Sequence, residues 1–187
     1  RSTSFTFSFI RRRTSWENGG VTEKVKRNYL EINSLQDLNE GIKPSDDYSL
    51  SLIDPINFQL NKFFYKNIGK KHQWVDRLVW TEKKWIEYTS SEKVKTFVLK
   101  KNLDFAGYFE LIIHKDKNEV EIAYLGLLEE YHNKKLGSYL LSSAIKNSFL
   151  NKPKRVWVHT CSLDHKNALK NYIARGMKIF KSETTFI

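Results

Sequence analysis

The stretch Glu121–Leu141, EIAYLGLLEEYHNKKLGSYLL, constrains the fold of this chain more than any other. It reads as an apolar strand, a short basic turn and then an apolar helix. The turn His132-Asn133-Lys134-Lys135-Leu136-Gly137 sets cations and a glycine where a helix begins. A helix N-terminus carries unpaired backbone N–H groups and partial positive charge, so it suits a phosphate. Glu121 stands at the other end of the same strand, an acid placed to take a proton. Together they suggest an enzyme that binds a nucleotide-like cofactor and deprotonates a second substrate beside it.

At 187 residues the chain is long enough for one domain with a substantial core. Its 12 Phe, 9 Tyr and 5 Trp argue against disorder. A single cysteine excludes an intrachain disulfide framework and makes a reducing cytoplasm the expected compartment. No apolar run approaches the roughly 20 residues that span a bilayer, so no membrane partner is expected. The chain begins at Arg1 rather than Met, as expected of a trimmed or partial chain. The formal net charge of +11 offers attraction to a polyanion. The lysines, however, are spread from Lys24 to Lys181, and Arg11-Arg12-Arg13 is the one three-residue cationic run. That distribution reads as a solvated surface and weakens the case for nucleic acid.

Periodicity divides the chain into elements. Phe5, Phe7 and Phe9 alternate like a half-buried strand, and a Ser/Thr/Arg-rich start without acids faintly resembles a transit peptide. Residues 1–26 are taken as a flexible or partner-dependent extension and 27–187 as a single domain. A dimer arm in residues 1–20 would make a homodimer; otherwise a monomer is expected. Tyr29–Ile32 is a short strand candidate, and residues 33–54 read mostly as loop. Phe58 to Ile68 has helical spacing that Gly69 terminates, and Thr81 caps a short helix through Tyr88. Val94–Lys100, Phe105–Ile113 and Asn118–Leu127 read as an antiparallel meander. Residues 135–150 form a helix, Arg155–Thr160 a strand, and Asp164 caps a helix whose stripe carries Ala168, Leu169, Tyr172 and Ile173. Gly176 suits the left-handed position after that helix, and residues 177–187 close the sheet.

Two segments carry a family resemblance. Tyr131-His132-Asn133-Lys134-Lys135-Leu136-Gly137-Ser138 is similar to the pyrophosphate loop Q/R-x-x-G-x-G/A of the GNAT superfamily of acyl-CoA-dependent N-acetyltransferases. His132 replaces the usual Gln or Arg, and Lys135 replaces the first glycine. The lysine can lie on helical φ/ψ with its side chain turned out, or add charge toward a phosphate. Asp164 to Met177 resembles the family segment N-x-x-A-x-x-x-Y-x-x-x-G-F, with Ala168, Tyr172 and Gly176 in register and His165 in place of Asn. The resemblance covers about residues 94–182 and points to a bacterial subgroup with no assigned acceptor.

The resemblance implies an α/β (α+β) fold: a mixed, mostly antiparallel twisted sheet with flanking helices and splayed central strands. It implies acetyl transfer from acetyl-CoA to a primary amine of a small molecule or peptide, by direct attack and without a metal. Leu125 and Leu127 would hold the pantetheine arm through their backbone. His132, Asn133, Lys134, Lys135, Leu136, Gly137 and Ser138 would surround the pyrophosphate, with His165 near the cofactor arm. Tyr172 would be the general acid and Glu121 the general base, with Glu110 a rival base. Glu110, Glu121, Glu129 and Glu130 would make the cleft acidic, and Trp74, Arg77 and Tyr124 would line it near the acceptor. His159, Cys161 and His165 match no standard zinc spacing. Other readings of the same residues are a non-catalytic acyl-CoA-binding module and a basic nucleic-acid-binding protein.

Overall fold

The computed structural model describes residues 24–186. The Phe5/Phe7/Phe9 strand, the arm in residues 1–20 and most of the 1–26 extension lie outside the described residues. The elements are β1 (Lys24–Ile32), β2 (Tyr48–Leu52), α1 (Phe58–Gly69), α2 (Glu82–Thr89), β3 (Val94–Lys101), β4 (Asp104–His114), β5 (Glu119–Leu127), α3 (Leu136–Phe149), β6 (Arg155–Cys161), α4 (Ala168–Ala174) and β7 (Lys178–Phe186). The strands form one sheet in the order β2-β3-β4-β5-β6-β1-β7. Every neighbouring pair is antiparallel except β5 and β6. This is the mixed, mostly antiparallel sheet with flanking helices expected from the sequence.

Strand alternation splits the core between the two faces of the sheet. On one face Leu136, Leu140, Leu141, Ala144 and Ile145 of α3 pack with Leu111, Val120, Ile122, Val156 and Val158. On the other, Phe64 and Ile68 of α1 pack with Val98 and Tyr108. The Phe64 and Tyr108 rings stack at 4.9 Å. Local chemistry sets the helix starts: Asn57 accepts from the Gln59 N–H at α1, and Thr81 accepts from the Lys84 N–H at α2.

Three features differ from the sequence reading. Tyr48–Leu52 is an edge strand against β3 rather than loop. The strict alternation Tyr48-Ser49-Leu50-Ser51-Leu52 is the strand signal, set among Gly41, Pro44 and Pro55 that mark the flanks as loop. Asp164 does not cap α4: its carboxylate accepts from the Cys161 N–H at 2.8 Å and the Thr160 hydroxyl at 2.6 Å, and so fixes the end of β6. The third feature is the place of β1. It begins at Lys24 and lies between β6 and β7, antiparallel to both. The segment after β1 then tucks under the end of α4. The Asn39 N–H donates to the Arg175 carbonyl at 3.0 Å. Gly176 has φ 101°, and a Cβ there would meet the Asp37 carbonyl oxygen at 2.1 Å.

Candidate active site

Two irregularities in β5 build the cleft. Opposite β4, Glu110 pairs with Tyr124 and Leu111 with Ile122, so Ala123 is one residue too many and forms a bulge. Opposite β6, parallel pairing covers only Glu119–Glu121 with Arg155–Trp157. Beyond that point the strands part, as expected. Among the described residues the β6-facing edge of Ala123–Leu127 has no strand partner, a surface on which an extended chain can add hydrogen bonds. The gap is a cleft of about 660 Å³. It is lined by both strands, most of the turn that leads into α3, the start of α4, His72, Gln73, Trp74, Asp76 and Arg27 of β1.

At one end the cleft meets the N-terminus of α3. Lys135 occupies the N-cap position with φ 59° and ψ 17°, and among the described residues no side chain caps the first turn. The lysine is therefore left-handed rather than helical, which shows why glycine suits this place: an L residue there costs about 1–2 kcal/mol. Asn133 is left-handed too, with φ 59°. The His132 Nε2–H donates to the Leu127 carbonyl at 3.0 Å, tying the turn to the end of β5. The Asn171 side-chain amide donates to the Gly137 carbonyl at 3.0 Å, tying α4 to α3. The result is a tied turn that leads into a helix N-terminus at the cleft wall, an arrangement that suits a phosphate.

Of the residues expected to contact the cofactor, Leu125, Leu127, His132, Asn133, Lys135, Leu136, Gly137, Ser138 and His165 all line the cleft. Lys134 does not; its ammonium lies 5.4 Å from the centroid of the Tyr131 ring. His165 accepts from the Asn167 N–H through Nδ1 at 3.2 Å. Its ring is 5.3 Å from His132 and 6.0 Å from His72. Burial lowers the His165 pKa, and the neighbouring imidazoles lower it further.

Tyr172 is 7% exposed and lines the cleft from α4. Burial raises its pKa, with Asp164 adding to the effect, so the phenol keeps its proton across neutral pH. Cys161 also lines the cleft, with its thiol pKa raised by burial and then by Asp164. His159, beside it on β6, is held neutral: burial and then the Arg27 charge lower its pKa. Among the described residues no group of three or more His, Cys, Asp or Glu could hold a metal ion.

The carboxylates are arranged differently from expectation. Glu110 is fully buried and ion-paired with Arg77 at 2.9 Å. It also accepts from Asn61 and Tyr88, each at 2.8 Å. Glu121 is on the same face of the sheet as Glu110 and Tyr124. It pairs with His114 Nε2 at 2.9 Å, at the point where β5 and β6 begin to part. It is not among the residues lining the cleft. Glu129 is ion-paired with Lys71. The acids that do line the cleft are Asp76 and Asp164. Trp74 and Tyr124 line it as expected; Arg77 is buried against Glu110. Asp76 carries no signal of its own in the sequence, because it lies in a connection without periodicity between Trp74 and Arg77.

This topology defines the class of protein. Residues 58–177 match the model of the acetyltransferase (GNAT) family, and the chain belongs to that family. Solved structures share the fold at low identity. A GCN5-related N-acetyltransferase from Sphaerobacter thermophilus superposes with a TM-score of 0.69 at 12% identity, over 88% of this chain and 52% of that one. An aminoglycoside acetyltransferase, meta-AAC0020, from an uncultured soil metagenomic sample gives 0.59 at 9% identity, over 71% and 90%. The ribosomal-protein-S18-alanine N-acetyltransferase from Escherichia coli gives 0.52 at 17% identity, over 69% and 76%. The chain spans only 52–62% of the length of the first structures it matches. No curated protein matches it by sequence. Among the described residues no helix is long and apolar enough to cross a membrane.

Proposed function

We propose that this protein is an acetyl-CoA-dependent N-acetyltransferase acting on a primary amine in the cytoplasm. The observation that carries the reading is the junction of two unpaired backbone surfaces. Among the described residues the edge of β5 beyond Glu121 has no strand partner and no side chain caps the N-terminus of α3, and one turn joins the two. A pantetheine arm fits the first and a pyrophosphate the second, so the residues present suit acetyl-CoA. That co-substrate supplies the acetyl group as a thioester.

The protein's own residues then divide the proton transfers. The β5 backbone orients the thioester, and an N–H beside the Ala123 bulge polarises its carbonyl. Glu121, outside the cleft lining but on the sheet face that carries Tyr124 and paired with His114, takes the ammonium proton through bridging water. The amine lone pair attacks the carbonyl carbon, and the C–S bond breaks. Tyr172 gives its phenolic proton to the departing sulfur. Its raised pKa keeps that proton available.

Calorimetric titration of acetyl-CoA and CoA tests the cofactor site. Saturable micromolar binding, lost in Gly137→Glu, is the expected result. No binding at millimolar cofactor would sink the reading. Glu121→Gln and Tyr172→Phe should keep cofactor binding and lose turnover in an amine screen. Full turnover in either would remove that residue from the mechanism.

A further inference from the structure

A carboxylate with spare acceptor capacity stands inside an aromatic box at the cleft wall. Asp76 lies in the connection between α1 and α2 and is half-buried. The Tyr65 hydroxyl donates to its Oδ1 at 2.7 Å. The Tyr124 hydroxyl reaches Oδ1 at 3.2 Å and Oδ2 at 3.0 Å. Each carboxylate oxygen accepts about two hydrogen bonds, so Oδ2 retains a site. Among the described residues Asp76 pairs with no lysine or arginine. Its neighbour Arg77 is bound to Glu110, with its guanidinium over the Tyr124 ring at 4.2 Å.

The surroundings are aromatic. The Trp74 and Tyr124 rings meet edge-on at 4.9 Å, and Tyr65 lies 5.7 Å from Trp74 and 5.4 Å from Tyr124. Trp74, Asp76 and Tyr124 all face the cleft. The Arg77 guanidinium already lies over the Tyr124 ring at 4.2 Å, so the Trp74 indole is the ring left to attract a further cation, and the half-buried carboxylate takes its charge. An anionic ligand would meet repulsion here, and a neutral one would leave Oδ2 without a cationic partner. The connection is also rigid where it matters. Tyr65 both donates to Asp76 and accepts from the Arg77 N–H at 3.1 Å, while the Arg77 side chain anchors in the buried ion pair.

We infer that Asp76, Trp74 and Tyr124 form the subsite for the acceptor's ammonium, and that the substrate class is a cationic amine with an apolar body lying on the Trp74 indole. This rests on the reading of the cleft as an acetyltransferase site. It also reconciles a chain of net charge +11 with a cationic acceptor, because the attraction is local to the cleft. Asp76 binds the ammonium before Glu121 receives its proton, so the two carboxylates separate affinity from turnover.

The test titrates 1,5-diaminopentane and 1-pentanol into the full chain, with and without CoA, following tryptophan fluorescence and heat. The diamine should bind saturably and the alcohol should not. Asp76→Asn should weaken the diamine by about tenfold or more, the loss expected of a charged hydrogen bond, with CoA affinity unchanged. Equal behaviour of diamine and alcohol on the wild-type chain would overturn the inference and needs no variant. Unchanged diamine affinity in a folded Asp76→Asn chain would overturn it too. Diamine binding without any CoA binding would support the subsite while removing the acetyltransferase reading.

Discussion

Arg77 and Glu110 form an ion pair sealed from solvent, with the guanidinium 2.9 Å from the carboxylate and side-chain exposures of 5% and 0%. The rings of Tyr88 and Tyr124 lie over the guanidinium, each 4.2 Å from its carbon. Glu110 is thereby a structural acid, and the pair clamps the α1–α2 connection onto β4. Removing one partner leaves a buried charge uncompensated. Glu110→Ala should therefore cost about 3–5 kcal/mol in urea unfolding. Replacing both residues with leucine should cost less than the sum of the two single changes. Strict additivity would show that the pair is not coupled in the folded state.

Lys135 tests how much the turn depends on its backbone. With φ 59° it carries a conformational cost that glycine avoids. Glycine also gives the unfolded chain more freedom, which offsets part of that gain. Lys135→Gly should raise stability by about 0.5–1 kcal/mol, or about 2 °C in Tm. A fall in Tm would mean that the lysine side chain holds the turn. A fall in CoA affinity without a fall in Tm would show that its charge reaches a phosphate.

Gly137 behaves differently. A Cβ there would have Asn171 Nδ2 at 3.6 Å, ordinary contact distance, and φ is not left-handed. Gly137→Ala should fold normally. Gly137→Glu should fold as well and lose cofactor binding by placing an anion where phosphate sits. Circular dichroism and calorimetry on the pair separate misfolding from repulsion.

His159 links stability to pH. Its folded pKa lies below the ordinary 6.5, because burial and Arg27 disfavour the charged ring. The unfolded chain therefore takes up the proton first as pH falls. The stability from the neutral ring is intact above 6.5 and declines as pH drops below it, toward the folded pKa. The depressed pKa of His165 acts in the same direction. Tm should fall from about pH 7.5 to about pH 5.5, and fall less in His159→Gln. An equal fall in both would assign the dependence to other groups.

Tyr172→Phe should lower kcat by about 100-fold or more with CoA affinity unchanged, the size of a lost general acid. The raised phenol pKa predicts that the wild-type rate keeps its acid to high pH. An alkaline limb near neutrality would belong to another group, and an unchanged kcat in the variant would give the acid role elsewhere.

Local chemistry determined the parts of this protein. The caps at Asn57 and Thr81, the meander β3–β5, the apolar stripe of α3 and the glycine after α4 all follow from neighbouring residues. So does the anion-seeking turn before α3, because a helix start and its amides are built within a few residues. The placement of Tyr172 on the cleft was legible for the same reason: one helical stripe sets its direction. Long-range pairing decided the rest. Nothing in Lys24–Ile32 says that it inserts between β6 and β7, since alternation gives a strand a face but no partner. The fates of the acids were equally hidden. Glu110, Glu121 and Asp76 differ by what packs against each: Arg77, His114, and two tyrosine hydroxyls. A carboxylate's role depends on its burial and its partners, and those come from residues brought together only when the sheet and the helices close.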